Sequence, residues 1–486
     1  MSPLKIKRVR ETFIRNPLRV IAKFFLPGTE KHVLNIIKRV LLLSEEECQQ
    51  ILTSVIEDFS ERHYDIERIF LNHYKNIEDF LPKNSNYSQN RQKLLGACFT
   101  KEYSIESAAL FNPSIVPHPN QEDLPSDSIR FILSFRATGE QHISSIVFRT
   151  GVLLRGNKWK FDPVSPFVEL PDGSLGKLNK KSFKMKLNQM YQDSDKINQI
   201  FSELPDKFHF NQLQINIDEM KEHETNSGTT VEKEILKTAE WIAECNYQVF
   251  FRSDSDISER VIFPVSEEEK KGIEDARFVR FVDDDGTVIY YGTYTAYDGR
   301  NTLPMLLETK DFLRFEMRML YGNAARNKDV ALFPRKINEK YMMIGRQDGE
   351  NMYLIESENI LKWNDAILFQ TPKFSWEIVK IGNCGSPIET EEGWLLLTHG
   401  VGPVRRYCIG AVLLDLENPL TLIGKMKDPL LMPNEFEREG YVPNVVYTCG
   451  AMIHNDILII PYAFSDITSG LVTVSLRSLL DNLKSI

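Results

Sequence analysis

Two adjacent carboxylates, Glu274 and Asp275, stand in the stretch Gly272-Ile-Glu-Asp-Ala-Arg-Phe-Val-Arg280, with Arg277 two residues beyond Asp275. A carboxyl group can give or take a proton, and a guanidinium nearby can hold a charged or polar ligand. The stretch reads as the start of a strand. Strand neighbours point to opposite faces, so the spacing predicts that only one of the two carboxylates faces a shared pocket. Taken alone, the pair is most simply a solvated turn before a strand.

Four more stretches carry groups of the same kind. Tyr294 to Asn301 (YTAYDGRN) supplies rings that can stack on sugar faces, Tyr297 among them, and closes its turn with Arg300. Asn323 to Pro334 puts Lys328 and Asp329 side by side in a loop before an apolar run. Gly385 to Val401 places His399 after a strand, where a lone histidine is more often structural. Gly440 to Tyr447 is followed by PYAFSD, which ends on Asp466. Carboxylates, a histidine and separated Arg/Lys groups at strand ends suit a polar ligand together with an anion such as phosphate. A nucleophile elbow, a P-loop, a strand-linked GxGxxG and an HExxH helix are all absent from the sequence.

These residues need elements to position them. From about residue 107 to 175, and again from 247 to 475, short apolar runs such as IRFILSFRA, TVIYYGTYTAY and YCIGAVLLDL alternate with polar turns. That texture predicts a mainly β fold, a sandwich, barrel or propeller. Residues 176–245 are Lys-, Asn-, Gln- and Glu-rich with helical spacing and read as a helical insertion. Residues 1–105 read mostly as helix, with Ser44-Glu-Glu-Glu as one helix start and Ile51, Val55, Ile56 and Phe59 at helical spacing. The first forty residues hold ten Lys/Arg and two Glu, interleaved with Phe13, Leu18, Val20, Ile21, Phe24 and Phe25. This basic amphipathic stretch reads as a helix packed on its own protein; the rival reading is an anionic surface or a partner.

Composition limits the function classes. Lys+Arg is 59 and Asp+Glu is 68, a net charge of −9, which is a poor match to a polyanion such as nucleic acid. Hydrophobic residues at 42% and charged ones at 26% are those of a globular chain. No apolar run is long enough for a transmembrane segment. The opening residues lack an apolar signal core, so a cytoplasmic location is expected. The six cysteines are scattered, with no CxxC pair, and are expected to be reduced thiols. No metal site is expected.

In their order along the chain, several stretches resemble glycoside hydrolase family 130, the β-mannoside phosphorylases and related β-mannosidases. They are FNPSIV (111–116), the SFRATG arginine, GIEDAR, YTAYDGRN, NKDVALFP, GSPIETEEGWLLLTHGV, GAVLLDLENPLTLIGKMKDPLL and GYVPNVVYTCG. The resemblance covers roughly 107–175 and 247–475. It implies a five-bladed β-propeller spanning 106–486, after a helical N-terminal extension over 1–105 and interrupted by the insertion at 176–245. It also implies inverting cleavage of β-mannosides, with inorganic phosphate as co-substrate and α-D-mannose 1-phosphate as product, and no further cofactor. By position, Asp275 is the implied proton donor, acting through the mannosyl 3-hydroxyl. Arg300, Asn301, Lys328 and His399 are the implied phosphate-binding groups. Asn112, Arg136, Glu274, Arg277, Tyr297, Asp329 and Asp466 are the implied substrate contacts. Ala276 stands where the family usually has Pro, which changes turn stiffness and removes no chemical group. The expected partners are a β-mannoside oligosaccharide and phosphate, and the helical regions are candidate contacts between copies of the chain. A mannosidase using water, with Glu389 or Glu274 as its base, and a sugar-binding propeller without catalysis are the rival readings.

Overall fold

The computed structural model describes residues 4–82, 86–174, 178–191, 193–208, 210–223 and 230–483. Residues 175–177, 192, 209 and 224–229 of the expected helical insertion lie outside the described residues.

The molecule is mainly β, as expected. Among the described residues, two separate two-stranded pairs apart, its strands fall into five antiparallel groups, and no sheet closes on itself. The first group is built on Ala109–Pro117, Ile129–Thr138 and Ser144–Leu154, the second on Gly272–Val282, Val288–Tyr297, Thr302–Thr309 and Arg314–Met319. One parallel pairing, Gly272 with Ser144, joins these two into an eleven-stranded sheet. Three smaller sheets follow. They are built around Tyr341–Gly345 and Met352–Ser357, then Gly393–Val401 and Tyr407–Leu414, then Ile457–Phe464 and Thr468–Ser475.

The groups are tied to one another by short hydrogen bonds. Phe278 N–H donates to Ser114 Oγ at 3.2 Å, Cys449 N–H to the Pro113 carbonyl at 2.8 Å, and Thr293 Oγ1 to the Val330 carbonyl at 2.5 Å. Gly450 lies against Ser114 so closely that a Cβ there would sit 2.4 Å from the Ser114 hydroxyl oxygen. The approaches to Pro113 and Ser114 bring residues more than a hundred positions apart to one place.

The expectation for the N-terminal stretch needs correction. Lys7–Phe13 is a strand, paired antiparallel with Thr468–Ser475 at the other end of the chain, and Val20–Phe24 is a strand paired with Thr100–Ser104. The apolar residues Val9 and Phe13, four positions apart, pack on one buried cluster, and Phe13 lies against Phe135 and Phe161 at 5.0 and 5.3 Å. The partner strand is some 460 residues away in sequence. Local spacing cannot report such a pairing. Helices begin after this stretch, at Glu30–Leu41, Glu45–Phe59, Ile66–Lys75 and Gln89–Cys98. The second has the start its sequence predicts, because Ser44 Oγ accepts from Glu47 N–H and Glu47 returns the bond to Ser44 N–H at 2.7 Å.

The helical reading of 176–245 corresponds to Lys180–Met190, Ser194–Ile200, Phe210–His223 and Thr230–Glu244. Phe183, Leu187, Ile197, Leu213, Ile235 and Ile242 bury against one another and against Phe315 and Met317 of the second strand group. Burying their apolar stripes gives these otherwise polar helices a fixed seat. All six cysteines are free thiols.

One buried ion cluster fastens the N-terminal segment to the first strand group. Glu106, with no exposed surface, accepts from Arg19 Nε at 2.9 Å and from Arg149 Nη2 at 2.7 Å, and Arg19 also donates to the Ser165 carbonyl at 2.6 Å. Breaking such a buried pair leaves uncompensated charge and costs about 3–5 kcal/mol. Glu106→Gln is therefore expected to lower unfolding stability by about that amount, read as the shift of the urea midpoint. A loss below about 0.5 kcal/mol, as for an ordinary surface change, would contradict the assignment.

Candidate active site

Asp275 sits at a bulge. The pairing of Gly272–Val282 with its neighbour runs Glu274 to Thr295 and then Arg277 to Thr293, so one extra residue is inserted, and Asp275 adopts a left-handed backbone with φ of 55°. A second bulge faces it. Between Phe111 and Ser114 the register against Arg136 and Ser134 also slips by one, and Asn112 has φ of 48°. A non-glycine residue held there costs about 1–3 kcal/mol. The cost is offset by what the geometry assembles.

The bulge overturns the expectation that only one carboxylate reaches the pocket. Arg136 Nη2 donates to Glu274 Oε1 at 2.7 Å, and Arg136 Nη1 to Asp275 Oδ1 at 3.3 Å. The same Asp275 oxygen accepts from Asn112 Nδ2 at 2.6 Å. Glu274 receives a second cation, Lys328, whose Nζ lies 2.6 Å from Oε2. The Arg136 guanidinium also rests 5.0 Å from the Phe111 ring centroid. Alternation across a regular strand cannot place both acids on one arginine; an added residue restores the shared side.

Behind this layer lies a second charged cluster. Arg277, almost fully buried, donates to the Asp275 carbonyl at 2.7 Å, to Asp329 Oδ1 at 2.8 Å and to Tyr447 Oη at 2.7 Å. Arg346 Nη2 lies 3.0 Å from the other Asp329 oxygen. Asp329 is thus fully engaged by arginines. Its Oδ1 also accepts from Tyr447 Oη at 3.2 Å. Burial acts to raise its pKa, but Arg346 and Arg277 hold it well below the usual carboxylate range.

His399 is 1% exposed on strand Gly393–Val401, and its Nδ1 lies 3.3 Å from the Asn383 carbonyl. A carbonyl only accepts, so Nδ1 carries the proton and Nε2 is an acceptor. Burial pulls its pKa down to about 3, with Arg346, Lys380 and Arg277 adding to the effect against Asp329. His399 is neutral at ordinary pH, so it can accept from an O–H, including that of a hydrogen phosphate, and adds no positive charge.

The remaining predicted residues fall at the edge. Tyr297 presents its ring to the Lys328 ammonium, 5.4 Å from the centroid, and its hydroxyl donates to the Gly299 carbonyl at 3.0 Å. Arg300 and Asn301 are exposed. Both backbone N–H groups donate to Asp298 Oδ1 at 2.6 Å, and the Asn301 side-chain amide bonds Asp298 Oδ2 at 3.1 Å. Among the described residues the Arg300 guanidinium has no ion pair. The four residues expected at the phosphate are therefore not in mutual contact: Lys328 is tied to Glu274, His399 is buried beside Asn383, and Arg300 and Asn301 occupy the turn.

For Asp275, burial raises its pKa, but Arg136, Arg277 and the Asn112 amide win and hold it below the usual carboxylate range. Asp466, with φ of 53°, behaves oppositely. Burial and the neighbouring Asp275 charge raise it to about 6, against Arg136 and Arg405. Several buried atoms of the site have hydrogen-bonding capacity unused within the protein: Asn112 Oδ1, Arg136 Nε, Arg346 Nε and both amide atoms of Asn383. They are suited to a hydroxyl-rich ligand.

The residues missed by sequence reasoning are Arg346, Tyr447, Asn383 and Phe111. Tyr447 and Phe111 lie within quoted motifs, yet nothing in their spacing marks their contacts. Arg346 and Asn383 follow turns or end strands and carry no local signal.

Residues 254–485 match the family profile described as beta-1,4-mannooligosaccharide phosphorylase. A 1,2-beta-oligomannan phosphorylase of Thermoanaerobacter sp. (strain X514) is 35% identical over 220 residues, which is 44% of this chain and 72% of that protein. The chain belongs to glycoside hydrolase family 130. A beta-1,2-mannobiose phosphorylase of Listeria innocua serovar 6a is 32% identical over 232 residues, covering 46% of this chain and 63% of that protein. The beta-1,2-mannobiose phosphorylase structure from Listeria innocua aligns over 79% of this chain and 94% of that one, at 20% identity and a TM-score of 0.47. The family profile takes in Glu274, Asp275, Arg277, Lys328, His399 and Asp466. Asn112 and Arg136, which both bond Asp275, precede the matched region.

Asp466 yields a stability prediction. Its folded pKa of about 6 lies above its ordinary 3.8, so the fold favours its protonated form. That favourable contribution is complete below about pH 4 and is lost as pH rises through about 6. Asp466→Asn, which stays neutral, is expected to gain melting temperature relative to wild type between those pH values, with coincident stabilities at the acid end. A difference independent of pH would refute the raised pKa.

Proposed function

We propose that this protein cleaves β-mannosides by inverting phosphorolysis, releasing α-D-mannose 1-phosphate, and runs the same reaction in reverse to build β-mannosides. The observation that carries the reading is one carboxylate, Asp275, held by an asparagine and an arginine, with Lys328 on the adjacent Glu274. In this reading the five strand groups are the blades of a β-propeller, with the strand Lys7–Phe13 completing the last blade. Their leading strands line a central funnel. Family membership and the phosphorylase names of the relatives support it, as does the presence of Asn112, Asp275, Lys328, His399 and Asp466 together.

The mechanism follows from the electrostatics. Unliganded Asp275 is ionised, which suits synthesis, where a base must accept the proton of the attacking hydroxyl. In phosphorolysis a phosphate dianion arrives beside Lys328, Arg300 and Asn301, with its own O–H available to His399 Nε2. Its negative charge offsets the pull of Arg136 and Arg277 and raises Asp275 toward protonation. Asp275 then delivers the proton to the glycosidic oxygen through the mannosyl 3-hydroxyl, while phosphate attacks C1 from the opposite face. Arg136, Asn112 and Asp466 hold the mannosyl ring. A reaction driven by phosphate needs no second carboxylate to activate water.

Hydrolysis does need one. Glu389 is paired with Arg335 at 2.7 Å, and Glu274 is held by both Arg136 and Lys328, so each candidate base is already neutralised. A phosphate co-substrate suits a cytoplasmic enzyme. Among the described residues no helix is long and apolar enough to cross a membrane.

The deciding assay offers β-1,2- and β-1,4-mannobiose and mannosyl-glucose to the protein, with and without phosphate, and quantifies mannose 1-phosphate. The β-1,2 linkage, named for two of the relatives, is the first to try. Turnover should require phosphate, and Asp275→Asn should reduce it by about 10²- to 10⁴-fold, the usual contribution of a general acid. Free mannose at an equal rate without phosphate would overturn phosphorolysis.

A further inference from the structure

The helical insertion brings a lysine into a place where lysines are rarely left. Lys186, on helix Lys180–Met190, is only 5% exposed. Among the described residues its ammonium makes no ion pair and no hydrogen bond. The ring of Tyr321 lies beside it, the centroid 5.0 Å from Nζ. An ammonium removed from water without a counter-charge is costly, and proteins normally pair it or expose it.

Lys186 stands between two cavities and lines both. One, of about 260 Å³, lies among Phe183, Tyr247, Gln248 and Arg318. The other, of about 730 Å³, is bounded by Trp241, Tyr321, Asn323, Lys362 and Asn364. The larger cavity thus has two aromatic walls, two amide side chains, two lysines and one carboxylate, Asp365, so its lysines outnumber its acid by one. Lys362 also makes no side-chain ion pair among the described residues. Trp241 is fixed in the wall by its indole N–H, which donates to Glu268 at 2.6 Å. The site is separate from the catalytic cluster, since neither cavity is lined by Arg136, Glu274, Asp275 or Lys328.

We propose that the larger cavity is a second ligand site, formed by the helical insertion against the second strand group, that takes a phosphorylated sugar. Aromatic walls accept the apolar face of a sugar ring, amides accept and donate to its hydroxyls, and the two lysines face the phosphate. Lys186 supplies the missing half of an ion pair whose other half is the ligand. The lowering of the Lys186 pKa to about 7 by burial fits an ammonium awaiting an anion.

The test is titration of the full chain with mannose 6-phosphate, free mannose and inorganic phosphate, followed by calorimetry and by tryptophan fluorescence. Mannose 6-phosphate should bind at least tenfold more tightly than either fragment. Lys186→Met should weaken it at least tenfold, Lys186→Arg should retain it, and Lys328→Ala in the catalytic site should leave it unchanged. Trp241→Phe, which keeps the lysine, should abolish the fluorescence change. Without ligand, Lys186→Met should melt no lower than wild type, because it removes an uncompensated charge. Unchanged binding in Lys186→Met, binding lost in Lys328→Ala, or a Lys186→Met protein that melts well below wild type would each overturn the proposal. Inorganic phosphate binding as tightly as mannose 6-phosphate would overturn the sugar phosphate in favour of the free anion. Binding is counted at this cavity only where Lys186→Met removes it, so phosphate held at the catalytic site does not enter the comparison, and the outcome stands whether that site uses phosphate or water.

Discussion

Everything at the proposed catalytic centre depends on one guanidinium meeting two adjacent carboxylates. Arg136 touches both Glu274 and Asp275, and a regular strand forbids that arrangement. The fold meets the constraint by inserting one residue at each of two facing positions, Asp275 and Asn112, both with left-handed backbone. Backbone strain is thereby converted into pre-organisation: the acid, its amide donor and its arginine are fixed before any ligand arrives.

The charges around that clamp are arranged in depth. Buried Arg277 and Arg346 neutralise Asp329 at the base, and Lys328 meets Glu274 nearer the opening. The deep pairs set the shape and the potential of the site, while Asp275 and Asp466, which differ in the direction of their pKa shifts, are left to respond to a ligand. Two carboxylates driven apart by their surroundings are a common arrangement where proton transfer is done. Burial, aided by Arg346, Lys380 and Arg277, makes His399 a neutral acceptor.

Around this centre the N-terminal segment and the insertion play different parts. Arg19, Glu106 and Arg149 lock the first into the strand groups through a buried ion cluster, and Lys7–Phe13 adds an edge to the last sheet. The insertion instead caps the second group with an apolar face and leaves Lys186 beside a cavity. The first addition spends its charges on cohesion; the second leaves one uncompensated.

The sequence by itself determined the residue inventory, the order of the motifs, the mainly β texture and the helical insertion. Each is written in local spacing or in short runs such as GIEDAR and NKDVALFP. It also determined the family, because those runs occur together. What the tertiary structure alone decided has a different physical origin. That both acids of GIEDAR face Arg136 depends on a bulge, which period-two alternation excludes. That Lys7–Phe13 is a strand depends on a partner at the far end of the chain. That Asp329 is an anchor, His399 neutral and Lys186 unpaired depends on burial and on charges contributed by other strand groups. Local periodicity encodes which face a residue prefers; pairing across hundreds of residues, and the dielectric it creates, exist only once the chain has folded.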